Sequence, residues 1–73
     1  MSITLRRIDP ARNMRRFYRL DVQPDLFGAF TLVREWGRIG RGGRLQLEGF
    51  ASADEAQAAL ERQRHVKERR GYL

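Results

Sequence analysis

Leu45-Gln46-Leu47-Glu48-Gly49-Phe50-Ala51-Ser52-Ala53-Asp54-Glu55-Ala56 changes period in its middle, and that change decides the fold. Leu45 and Leu47 alternate with Gln46 and Glu48, the repeat of a strand with one covered face. At Ser52 the repeat lengthens. Ser52-Ala53-Asp54-Glu55 is a capping box, in which the hydroxyl accepts from the N–H of the third helical residue while the glutamate reaches back. Phe50, just before it, is positioned to staple against Ala56. Ala56, Ala59, Leu60, Gln63 and Val66 follow at helical spacing and form a narrow apolar stripe suited to packing on a sheet. Lys67, Arg69 and Arg70 crowd the last turn, where positive charge suits the negative end of the helix dipole, and Gly71 is a natural left-handed cap. A helix over 52–70 is predicted.

Upstream, the pattern is that of strands. Ile3 and Leu5 alternate with Thr4 and Arg6 in segment 2–8. After Asp9-Pro10, Tyr18, Leu20 and Val22 share one face, with Phe17, Arg19 and Asp21 on the other. Past Gln23-Pro24-Asp25, the run Phe30-Thr31-Leu32-Val33-Arg34-Glu35-Trp36 is rich in the β-branched and aromatic residues that fit a pleated surface. Gly37, Gly40, Gly42 and Gly43 permit the positive φ angles or close approach of a multi-residue hairpin leading into the Leu45–Leu47 strand. The expectation is an α+β fold: one domain over 1–73, a small twisted antiparallel sheet of about four strands with a C-terminal helix packed on it.

The 73 residues are 41% hydrophobic and 33% charged, too apolar for a disordered tail and too polar for a membrane-embedded chain. There is no Cys, and His65 is the single histidine, so thiolate and histidine metal cages are excluded and no cofactor is expected. No long apolar run follows Met1-Ser2-Ile3-Thr4-Leu5-Arg6-Arg7, and cytoplasmic residence is the expectation. The 15 basic residues against 9 acidic ones give a net charge of +6, which attracts polyanions. Every basic residue but Lys67 is arginine, a bias that fits phosphate recognition and fits a GC-rich genome equally well.

Trp36-Gly37-Arg38, together with Asn13-Met14-Arg15-Arg16-Phe17-Tyr18, Gly43, Phe50, Asp54-Glu55-Ala56, Lys67 and Gly71-Tyr72, resembles the WGR domain family over roughly 12–72. That family includes domains of poly(ADP-ribose) polymerases that contact DNA at breaks and relay the contact to a catalytic domain, and bacterial proteins of ill-defined role. The resemblance implies a DNA-binding function, with Trp36 matching a tryptophan that lies against the sugar at a broken 5′ end. An indole suits this task because it stacks without reading sequence. Alternation places Trp36 with Phe30, Leu32, Arg34 and Arg38, a mixed face compatible with an exposed indole or a core one. Arg38 matches an arginine that joins the domain to its neighbours in those polymerases; here it is free to bind phosphate, meet a separate partner chain or be solvated. Arg16, with Arg15, Arg41 and Arg44, could form a basic patch beside Trp36, and Gly37 would let a ligand approach the backbone. Asn13 can stabilise its turn, and Tyr18 and Tyr72 are assigned to packing.

No catalytic constellation is present. Gly37-Arg38-Ile39-Gly40-Arg41-Gly42-Gly43 lacks the Lys-Ser/Thr ending of a P-loop and precedes a strand, so it reads as a hairpin. A non-catalytic nucleic-acid binder is expected, for DNA ends, nicks or breaks, with RNA or single strands as further ligands. The competing reading is a protein-interaction or accessory module that docks on a protein partner or self-associates as a homo-oligomer. Neither involves a membrane.

Overall fold

The computed structural model describes residues 2–73. Its elements are β1 (Ser2–Asp9), a 3-10 turn at Pro10–Arg12, β2 (Met14–Pro24), β3 (Phe30–Arg38), β4 (Arg44–Phe50) and α1 (Ala53–Arg69). The strands pair antiparallel in the order β1-β2-β3-β4, with the single helix packed on one face, the expected α+β arrangement. β2 and β3 outrun the alternating apolar segments that announced them. They are the central strands and pair on both sides, so the ladder carries Arg15, Arg16 and Gly37 as strand residues although their local preference is weak.

Register sorts the residues into faces. Ile3 lies beside Leu20, Leu5 beside Tyr18, Val22 beside Leu32, and Tyr18 beside Trp36. These side chains meet α1 in a core of Leu5, Tyr18, Leu20, Leu32, Ala59, Leu60 and Tyr72, edged by Ile3, Val22, Trp36 and Phe50. Ala56 and Ala59 let the helix sit close to the sheet, while Leu20, Leu32 and Leu60 are fully buried. Each such leucine contributes about 1.5–3 kcal/mol of burial. The opposite face is thinner. It carries the Arg19–Glu35 pair at 3.0 Å and buried Val33, with Ile8, Leu45 and Leu47 exposed.

Both helix ends close where their sequences place them, the start through the Ser52 half of the capping box. Ser52 is the N-cap, its Oγ accepting from the Glu55 N–H at 3.2 Å. At the other end Tyr72 N–H donates to the Lys67 carbonyl at 3.1 Å and Gly71 N–H to that of Glu68 at 3.1 Å, a Schellman pattern that places Gly71 at φ +94°. The chain then returns to the sheet, where Leu73 and Arg6 exchange backbone bonds of 2.8 and 2.9 Å on the outer edge of β1. Ser52→Ala is expected to lower stability by about 0.5–2 kcal/mol. Urea titration reads this directly, and an unchanged midpoint would mean that the hydroxyl contributes nothing to helix initiation.

Candidate nucleic-acid interface

Antiparallel pairing sets Leu5, Tyr18, Trp36 and Arg44 abreast across the sheet, and one step along the same face it sets Arg7, Arg16 and Arg38 abreast. An aromatic row thus borders a row of guanidinium groups. Trp36 is half-buried. Its ring stacks on Tyr18 with centroids 5.7 Å apart and planes 15° from parallel, while Tyr72 meets Tyr18 edge-on at 6.3 Å. The indole is therefore both a flank of the core and part of the surface, between the alternatives that alternation leaves open. On its other side stands Arg44, exposed on β4.

The end of α1 brings further positive charge. Lys67 Nζ lies 4.5 Å from the Tyr18 ring centroid, close enough for a cation–π contact. Its ammonium is held below the usual lysine range of 10.5, first by burial and then by repulsion from Arg70 and Arg34. Arg34 lies on the covered face with its Nε buried and unpartnered, and its nearest carboxylate is Glu48 at 3.7 Å. Among the described residues Arg7, Arg16 and Arg44 have no carboxylate within ion-pair distance. Like charges set side by side on a sheet destabilise it, and an anion seated among them relieves that repulsion.

The remaining expected site residues separate. Arg38 donates to the Asn13 carbonyl at 3.1 Å and to its side-chain oxygen at 3.3 Å, tying the end of β3 to the β1–β2 hairpin, where Asn13 adopts a left-handed φ of +52°. A guanidinium has five N–H donors, so this clamp leaves others for a ligand. Gly37 lies on the opposite face from Trp36, where a Cβ would lie 2.9 Å from Gly43 Cα, so its smallness serves hairpin closure. Arg15 also belongs to the opposite face, beside Ile8, and Arg41 sits in the exposed β3–β4 turn. Trp36, Arg16, Arg38 and Arg44 therefore come together, joined by Tyr18, Arg7 and Lys67. Two of these additions carry a signal in the sequence: Arg7 has the parity of Leu5, and Lys67 falls on the helix stripe of Leu60 and Gln63.

The family profile of the WGR domain matches residues 1–73. The chain belongs to the WGR domain family. It is 39% identical over 66 residues to the uncharacterized protein y4dW of Sinorhizobium fredii, an alignment covering 90% of this chain and 32% of that protein. The chain therefore spans about a third of its relative's length. No solved structure matches it. In this WGR domain the tripeptide divides between the two faces, with Trp36 and Arg38 toward the helix side and Gly37 on the far side. No helix among the described residues is long and apolar enough to cross a membrane, and none of their His, Asp and Glu side chains group to hold a metal ion.

Proposed function

We propose that this WGR domain is a non-catalytic nucleic-acid-binding module that takes DNA ends or nicks. The observation that carries the proposal is the abutment of the Trp36–Tyr18 stack on the Arg7–Arg16–Arg38 row. An aromatic platform receives the exposed face of a terminal nucleotide, whatever its base, while flanking cations hold the adjoining phosphates. Arg16, Arg44 and Lys67 supply charge, and Arg38 adds donors from a position fixed by Asn13. Family membership supports the same reading.

Titration against blunt duplex, 5′-phosphorylated nicked duplex, single strand and RNA hairpin, each at two salt concentrations, tests it. With about three or four phosphates engaged, log K should fall against log salt with a slope of roughly −3 to −4 on duplex DNA. Arg16→Ala should weaken every sequence alike and reduce the slope by about 0.9, whereas Arg15→Ala, on the other face, should leave both nearly unchanged. A salt-independent affinity, or equal losses from Arg15 and Arg16, would remove the interface. Saturable binding to a protein partner with no DNA shift would favour an interaction module instead.

A further inference from the structure

The two edges of the sheet are treated differently. The outer edge of β1 receives the chain end, through the paired bonds of Leu73 with Arg6. β4 is the other edge, and Arg44 through Gly49 are all exposed. Natural edge strands are usually blunted by charged side chains, lysine above all, or by proline, a bulge or a covering loop. β4 has only Arg44 and Glu48, charges of opposite sign that a second copy can pair. β4 contains neither lysine nor proline, pairs with β3 in unbroken register from Arg44 to Phe50, and presents Leu45 and Leu47 at 61% exposure each.

Its sequence is also self-complementary. Arg44 and Glu48 stand at equal distances either side of Gln46 on the helix face, and Leu45 and Leu47 stand either side of it on the open face. We propose that two copies of this domain associate through antiparallel pairing of their β4 strands, centred on Gln46, into one continuous sheet. In this register Arg44 opposes the partner's Glu48, Leu45 opposes the partner's Leu47, and the two Gln46 residues face each other. The pairs are opposite charges, two leucines, and two amides that can hydrogen-bond each other. Centring on Leu47 instead would set Arg44 against Phe50 and Gln46 against Glu48. A shift to odd register would oppose leucine with glutamine or glutamate and turn one helix to the other side. Glu48, only loosely held by Arg34 at 3.7 Å, gains a second cation in the Gln46-centred register.

The symmetry has a consequence for binding. Both helices lie on one side of the joined sheet, and so do both Trp36 platforms. Three strand spacings across and four residues along separate them by roughly 20 Å. The association does not depend on the proposed nucleic-acid function, and its test uses protein alone.

Sedimentation equilibrium from micromolar to millimolar protein should show a reversible dimer. Arg44→Glu and Glu48→Arg should each weaken it about 10-fold or more, since each substitution puts like charges together at both symmetry-related pairs. Mixing the two variants in equal amounts should restore association, because each chain then offers the charges the other lacks. Strictly monomeric wild type, single variants that dimerise as well as wild type, or a mixture no better than its components would overturn the proposal. Circular dichroism checks each variant's fold. Should either fail to fold, Leu47→Lys provides the decision: a monomer supports the edge pairing, and an undiminished dimer overturns it.

Discussion

Gly43→Ala is expected to destabilise this domain by about 3 kcal/mol, the upper end of what overpacking costs. A Cβ at this position would lie 2.5 Å from the Trp36 carbonyl oxygen and 3.0 Å from Phe17 Cζ. The first neighbour is backbone and cannot step aside without opening the β3–β4 ladder, where Trp36 and Arg44 are the last registered pair. Gly43 does not have a positive φ, so the cost is steric and any side chain incurs it. A domain of this length has roughly 4–11 kcal/mol in total, so the loss is a large share of it. Gly42, one residue away, has nothing within 4 Å of a Cβ and no positive φ. Gly42→Ala should stay within about 0.5 kcal/mol of wild type. Chemical denaturation of the two variants side by side makes the comparison, and equal midpoints would show that the close approach at Gly43 is not a constraint.

The same hairpin shows how far the sequence could be read. Helix α1 was legible almost to the residue, because its start and stop rest on neighbours in the chain: Ser52 with Glu55, and Gly71 with the carbonyls just before it. Strand existence was legible from alternation, but strand length was not, since Arg15, Arg16 and Gly37 are held extended by partners on other strands. The site depended on register. Arg15 and Arg16 are adjacent and equally basic, and only the pairing of Arg16 with Arg38 and Arg7 tells which of them faces Trp36. Gly37 was visible as a glycine, yet the reason for it lies in Gly43 and Phe17, contacts made across the sheet. Lys67 looked like a helix-end charge, and it joins the candidate site because α1 lays it over Tyr18.

Trp36→Ala is expected to lower affinity for a 5′ DNA end by roughly 5- to 150-fold, while weak binding to closed circular duplex stays nearly intact. The range corresponds to about 1–3 kcal/mol for stacking one terminal nucleotide on an aromatic ring. The arginine row does not depend on the indole for its register, so the sequence-independent attraction to phosphate proposed for it should survive. Truncation also has a structural cost. Complete removal of a buried aromatic costs about 3–5 kcal/mol, and Trp36, half-buried against Tyr18, should cost about half of that. That is enough to lower the midpoint of unfolding without emptying the native state, so binding must be measured well below it. Trp36→Phe separates the two effects, because a smaller ring can keep the stack on Tyr18 while offering less surface to a nucleotide. Its affinity for ends should fall between those of wild type and Trp36→Ala, with a smaller loss of stability than alanine causes. A folded Trp36→Ala domain that loses affinity equally for ended and endless DNA would remove the end-specific role and leave the arginine row as a general phosphate binder. A folded variant with unchanged affinity for both would confine Trp36 to the core.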